Sequence, residues 1–295
     1  MDQVKISVLT PSYNRADKLK VLYQSLCNQN YINFEWIIIA DGSTDETDAV
    51  VKGFIEEKKF QIKYKWKQNG GKPSAHNEGV LLADSELIVI CDDDDYFTNG
   101  ALSTINKYWI KYKKDEVGGL IAYRGESDHS STTVGNKVFP SDKIYAHLDD
   151  IFVNNKYFDT VQIYRPAVLK NNLFPVSKNE KFVPEIYIWR KIDKDYCIII
   201  VPEILEIVKY LDDGMTKSGR YNILNNPIGY SYYFNQKAEL TYGLKKYVYH
   251  GIVRALVRLA NRKMEDFPFV ICKNPISLFT AFVFRIKIRG KKNGF

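Results

Sequence analysis

Apolar and polar positions along this chain follow two periods that take turns. VKISVLT (4–10), FEWIIIA (34–40) and LIVIC (87–91) are short, nearly continuous apolar runs rich in β-branched residues, which predicts buried strands. Between the first two, Leu19, Leu22, Tyr23 and Leu26 recur at helical spacing and predict an amphipathic helix. Ser43 followed by Glu46 matches a capping box, so a second helix is expected to start near Thr44. QIKYKW alternates Ile62, Tyr64 and Trp66 as a half-exposed strand does. A short helix through Val80 to Ala83, another around 100–113 and a strand near GLIAYR continue the series. Later, Pro184 is expected to open a helix over FVPEIYIWRKID, and YCIIIV and ILEIVKYL read as strands.

Strand–helix alternation of this kind predicts an α/β layer around a mostly parallel central sheet. Ligands of such sheets lie beyond the carboxyl ends of the strands. Three polar clusters fall at such ends: TPSYNR (10–15), ADGSTDE (40–46) and CDDDDYF (91–97). They are expected to converge on one cleft. The segment 125–143, rich in Ser, Thr and Gly, reads as a surface loop or lid.

Charge divides the chain. Residues 1–210 carry 27 Lys+Arg against 30 Asp+Glu, whereas 211–295 carry 15 against 5. The expected organisation is therefore an α/β domain over 1–210, with halves of about 1–124 and 125–210, and a helical basic region over 211–295. The basic excess calls for a polyanionic neighbour. No nucleic-acid-binding fold accompanies it, so nucleic acid is disfavoured against an anionic membrane face. In YGLKKYVYHGIVRALVRLANRK, Val253, Leu256, Val257 and Ala260 share one helical face and Arg254, Arg258 and Arg262 another. That segment and ISLFTAFVFRIKIRGKK suit an interfacial helix; a core-packed helix pair with a solvated basic face is the competing reading. Cys27, Cys91, Cys197 and Cys272 form no CxxC pair and sit among apolar residues, as reduced thiols of a cytoplasmic protein do. No leader is apparent, and no apolar run reaches the roughly 20 residues that span a bilayer.

The chemistry concentrates at Asp92, Asp93, Asp94 and Asp95, directly after a buried strand. In an extended segment Asp92 and Asp94 would share a face, and paired carboxylates suit a hard cation such as Mg²⁺ or Mn²⁺ bridging to a diphosphate. An aspartyl-nucleophile phosphatase is a weaker fit, because Tyr96 stands where Thr or Val is wanted and three strands precede the motif. An EF-hand is excluded by Tyr96 in a ligand position, and a solvated acidic turn is the bland alternative. GxGxxG and P-loop patterns are absent; NGGKPS still supplies Lys72 beside any phosphate, while His76 reads as a packing residue.

SVLTPSYNRADKLKVLYQSLCNQ, FEWIIIADGSTDET, NGGKPSAHNEGV and ELIVICDDDDYF, in this order, resemble the N-terminal half of family 2 glycosyltransferases of the GT-A fold, and SKNEKFVPEIYIWRKIDKDYCIIIVPEILEIVKYLDDGMTKSG resembles a later segment of a bacterial polysaccharide-type subgroup. The resemblance implies an inverting hexosyl- or N-acetylhexosaminyltransferase, dependent on Mn²⁺ or Mg²⁺. Its donor would be a nucleotide-diphosphate sugar, typically UDP-linked, and its acceptor a glycan or lipid-linked hydroxyl. By that resemblance Thr10, Pro11, Tyr13 and Arg15 line the nucleotide pocket, and Asp41 binds the base. Lys72 and Asn77 lie on the diphosphate–sugar side, and Asp92-x-Asp94 is the DxD motif, with Asp92 on the ribose or sugar and the metal, Asp93 in the variable place and Asp94 on the metal. Glu185 matches the catalytic base, without the Asp that usually follows it; Asp142, Asp149 and Asp159 are the fallback bases. A sugar-nucleotide-binding protein that has lost transfer is the alternative outside catalysis.

Overall fold

β1 (Ile6–Ser12), β2 (Phe34–Asp41) and β4 (Leu87–Ile90) form the buried centre of one sheet, as their apolar runs predict. The structure is a computed structural model, and it describes residues 2–126, 132–140, 142–152, 158–208, 219–261, 263, 267 and 274–289. By their internal contacts the residues fall into two units: Met1–Leu173 with Ile188–Tyr210, and Phe174–Tyr187 with Leu211–Phe295.

In the first unit, α1 (Ala16–Cys27) follows β1, α2 (Thr47–Glu57) follows β2, β3 (Gln61–Lys67) and α3 (Lys72–Leu82) precede β4, and β5 (Tyr96–Phe97) leads into α4 (Ala101–Tyr112). Then come β6 (Val117–Gly125), β7 (Tyr145–Ala146), α5 (Leu148–Ile151), β8 (Thr160–Tyr164) and α6 (Pro166–Lys170). The chain passes from the second unit back to the first between Tyr187 and Ile188, within α7 (Ile186–Ile192), and β9 (Cys197–Ile207) follows. Strand order among the described residues is β3-β2-β1-β4-β8-β6-β9-β5, with β7 also on β9.

β1 to β4 are mutually parallel, as expected. The other half of the sheet is mixed: β8 runs antiparallel to both β4 and β6. Thr160 of β8 pairs with Tyr123 near the end of β6, so the chain re-enters the sheet at the end where it left, and an antiparallel strand is the result. The two late strands of the sequence reading are one strand, β9. It bulges opposite Ala122–Arg124, where Val201 and Ile204 pair with consecutive residues.

Sequence and packing agree closely in the core. Leu19, Leu22, Tyr23 and Leu26 of α1 are all buried against the sheet, each contributing roughly 1.5–3 kcal/mol of transfer free energy. Tyr23 stacks on Phe54 of α2 with ring centroids 4.0 Å apart. Glu35 lies within the apolar run of β2 and is fully buried; Lys5 at 2.9 Å, Lys63 at 3.0 Å and the Ser7 hydroxyl at 2.7 Å compensate it. β3 occupies a sheet edge, and Lys63, Lys65 and Lys67 along it each pair with an acid: Glu35, Glu78 and Asp41.

Two helix starts differ from expectation. α2 begins at Thr47 because Asp45, not Ser43, bonds ahead of it: its carboxylate accepts from the Thr47 amide at 3.1 Å and from the Thr47 hydroxyl. α7 begins at Ile186, leaving Pro184 and Glu185 in the preceding turn. Of segment 125–143, residues 127–131 and 141 lie outside the described residues, and Phe139 stacks on Tyr123 at 4.1 Å.

The second unit contains α8 (Gly219–Asn225), α9 (Pro227–Glu239), α10 (Leu244–Leu259) and α11 (Pro275–Arg289). The Glu180 carboxylate accepts the Ile228 and Gly229 amides, each at 2.8 Å, at the start of α9. Val253, Leu256 and Val257 of α10 are buried, so this stripe is core. Arg262, Cys272 and 209–218 of the later resemblance lie outside the described residues.

Candidate functional site

The loops after β1, β2 and β4 are stitched together at the carboxyl ends of their strands. The Asn14 amide donates to Ser43 Oγ at 3.0 Å, the Thr44 amide to Asn14 Oδ1 at 2.8 Å and the Ala16 amide to Asp45 Oδ2 at 3.0 Å. From the third loop, Asp93 Oδ2 accepts the Tyr13 amide at 3.4 Å and Asp94 Oδ2 lies 3.4 Å from Arg15 Nη1. The three polar clusters do converge, as the strand–helix alternation requires.

The acidic run is a turn and not an extended segment, because the Asp95 amide donates to the Asp92 carbonyl at 3.2 Å. That turn splays the four side chains toward different partners. Asp92 Oδ1 meets Lys72 Nζ at 2.6 Å, Asp94 meets Arg15, and Asp95 Oδ2 meets Arg124 Nη1 at 3.5 Å. Arg124, near the end of β6, donates through Nη2 and Nε to Glu206 Oε2, each at 3.0 Å. The β9 bulge puts Glu206 opposite Arg124.

The charges do not balance. Among the described residues, Asp92, Asp93, Asp94, Asp95 and Glu206 face Lys72, Arg15 and Arg124, a deficit of two positive charges within this group if all five acids ionise. Burial would raise Asp92, but Lys72 and Arg124 hold it below the usual carboxylate range. The others move the opposite way. Burial, with repulsion from Asp94 and Asp92, pushes Asp93 up to about 7. Burial and Asp92 raise Asp94. Burial pushes Asp95 to about 8 and Glu206 to about 7 in spite of Arg124. Such a site favours protons or an added cation.

Asp41 is engaged within the fold. Its carboxylate accepts the Gly70 and Gly71 amides at 2.8 and 2.6 Å and pairs with Lys67 at 2.8 Å, pinning the turn that launches Lys72. Gly42 permits this approach: its φ is +78° and a Cβ there would lie 2.6 Å from that of Asn69. Thr10 and Pro11 are buried at the end of β1, with the Thr10 hydroxyl accepting from Trp36 Nε1 at 3.0 Å, while the Tyr13 ring is exposed. Asn77 is buried on α3, and His76 beside it packs edge-on to Trp189 at 6.3 Å; burial drops its pKa to about 3, so it stays neutral. Glu185 is half-buried on Phe174–Tyr187, in the second unit. Of the fallback acids, Asp142 and Asp149 are exposed, Asp149 lies 3.6 Å from Arg190, and the charge of Asp159 reaches Arg124.

Sequence reading missed Arg124 and Glu206. The signal was present: a cation ending the buried run GLIAYR and an acid within the apolar stretch ILEIV. Arg124→Met leaves two buried acids without their cation and should cost about 3–5 kcal/mol of stability at neutral pH. Both acids already hold protons more tightly in the folded state, so the deficit should shrink as pH falls from about 8 to 6. Thermal denaturation across that range checks it; a pH-independent loss contradicts the pairing.

Parallel strands carrying an acidic turn at their carboxyl ends, extended by a mixed second half, define the GT-A class of fold. The sequence profile described as glycosyl transferase family 2 matches residues 7–166. The chain belongs to that family. Among solved structures it is similar to S. aureus TarS 1–349 in complex with UDP-GlcNAc, with a TM-score of 0.65 and 19% identity over 97% of this chain and 80% of that one. It is also similar to the mannosyltransferase PcManGT from Pyrobaculum calidifontis in complex with GDP-Man and Mn²⁺, with a TM-score of 0.57 and 16% identity over 98% and 81%. The GalNAc(5)-diNAcBac-PP-undecaprenol beta-1,3-glucosyltransferase of Campylobacter jejuni is 36% identical over 103 residues, 34% of this chain and 33% of that protein. With two further curated relatives, the matched region spans 30% and 24% of their length.

Proposed function

We propose that this chain is an inverting glycosyltransferase that moves a sugar from a UDP-linked donor to a hydroxyl of a glycan or lipid-linked acceptor. The observation that carries the reading is the half-buried acidic turn at the strand ends, two positive charges short of balance among the described residues. A dication supplies the two missing positive charges, and carboxylate oxygens fit Mn²⁺ or Mg²⁺ in donor type. Among the described residues no group of three or more His, Cys, Asp or Glu stands ready as a complete metal site. Asp92 and Asp94 are the residues that would hold the ion. Bound there, it would stabilise the charge developing on the departing diphosphate.

The protein's own groups supply the rest of this reading. Tyr13, exposed at the mouth of the β1–β2 loops, stacks on the base. Asp41 turns the backbone so that Lys72 stands beside the phosphates. Glu185 takes the proton from the acceptor hydroxyl as that oxygen attacks the anomeric carbon from the face opposite the leaving group. The undecaprenol-linked acceptor in the Campylobacter relative's name is one reason to include lipid-linked acceptors, with the protein working at the cytoplasmic face of a membrane. The test is a thermal-shift screen of UDP-, GDP- and dTDP-sugars with Mn²⁺. UDP-sugars should raise the melting temperature, and Mn²⁺ should be required. No shift with any sugar nucleotide, or phosphate release without a donor, contradicts the proposal and in the second case favours the phosphatase.

A further inference from the structure

α11 is turned so that its large apolar residues face outward. Ser277 and Ala281 are buried, and α10 comes close enough that a Cβ on Gly251 would lie 2.6 Å from the Ser277 carbonyl oxygen. The opposite side presents Leu278, Phe279, Phe282 and Ile286, which are 53%, 68%, 64% and 56% exposed. Their spacing sets them in one stripe. A surface helix of a soluble domain ordinarily does the reverse, and a contiguous apolar face of this kind marks a contact surface.

Charge identifies what covers it. α11 contains no acidic residue and carries Arg285, Lys287 and Arg289, within a region holding 15 Lys+Arg against 5 Asp+Glu. A second copy of the same face would bring like charges together. An anionic bilayer supplies an apolar interior and a negative surface at once. Fifteen residues make a helix of about 22 Å, short of a hydrocarbon core of about 30 Å. Among the described residues no helix is long and apolar enough to cross a membrane, so α11 would lie in the interface.

We infer that the Leu278–Phe279–Phe282–Ile286 face of α11 docks the protein on anionic lipid, with Phe279 and Phe282 inserted and Arg285 and Lys287 on the headgroups. The expectation from sequence alone had divided this role between two helices; the buried stripe of α10 leaves it to α11. The inference gives the membrane-side acceptor a physical partner surface, yet stands independently of the proposed chemistry.

Co-sedimentation of the full chain with phosphatidylcholine vesicles, with or without phosphatidylglycerol, tests it. The protein should pellet with the anionic vesicles. Phe279→Ser with Phe282→Ser, both exposed, should lower the partition coefficient by about thirtyfold or more. Arg285→Glu with Lys287→Glu should abolish the preference for phosphatidylglycerol. Both variants should keep the wild-type melting temperature and its shift with UDP-GlcNAc and Mn²⁺, which separates loss of docking from loss of the donor site. Three results overturn the inference: wild type staying in the supernatant, the phenylalanine variant partitioning like wild type, or a wild-type dimer in sedimentation that this variant dissociates. The last assigns the face to a second copy.

Discussion

Asp94→Asn is expected to lower sugar transfer by about 10²–10³-fold while leaving the metal-free protein as stable as wild type or more so. The two halves have one cause. Asp94 stands beside Asp92 in a crowded acidic turn, and burial and that neighbour raise its pKa. An acid with a raised folded-state pKa binds its proton more tightly when folded, so its contribution to stability declines as pH rises through that value. At neutral pH its charge therefore works against the metal-free fold. Asparagine removes the repulsion and gives up only the partly exposed Arg15 contact, worth about 0–1 kcal/mol. The same change removes an oxygen anion from the proposed metal ligands. The decisive measurement pairs turnover with melting temperature, each with Mn²⁺ and with chelator. Transfer near the wild-type rate, or wild-type turnover indifferent to chelator, would rule out the role given to Asp94.

Glu185→Gln should reduce transfer by about 10²–10⁴-fold with donor affinity preserved, the signature of a lost general base. Glutamine keeps the shape and the hydrogen-bonding reach but cannot accept a proton. The support is the match of VPEIYIW to the family pattern, and a position in the turn just before α7. Steady-state kinetics on donor and acceptor separate the effects: kcat should fall while the UDP-sugar thermal shift is unchanged. If Glu185→Gln turns over normally and Asp159→Asn does not, the base is Asp159, whose charge already acts on Arg124.

What could be read in advance follows from the range of the interactions. Continuous apolar runs and helical spacing are local, so β1, β2, β4 and α1 were visible in the pattern, as was the meeting of three polar clusters at the strand ends. Features that depend on partners distant in sequence were not. Ser43 and Glu46 look like a capping box until Asn14 takes Ser43 and Asp45 bonds Thr47. Four consecutive aspartates read as an extended run until the Asp95 amide closes on the Asp92 carbonyl. Arg124 and Glu206 are 82 residues apart, and only the β9 bulge brings them together. The sequence offers both basic helices as interfacial candidates for the same reason: which stripe of a helix is buried depends on how closely its neighbour can approach, and Gly251 decides that here.

The ends of the sheet have a consequence for the protein in concentrated solution. An open strand edge invites another molecule to add a strand, the first step toward fibrous aggregates. β3 resists this with lysines at alternate positions, while at the far side β5 and β7 are only two residues long each. Replacing Lys65 with an aliphatic residue would bring the run Ile62–Trp66 closer to a flat apolar template, so a tendency to gel or precipitate should surface there before any loss of fold.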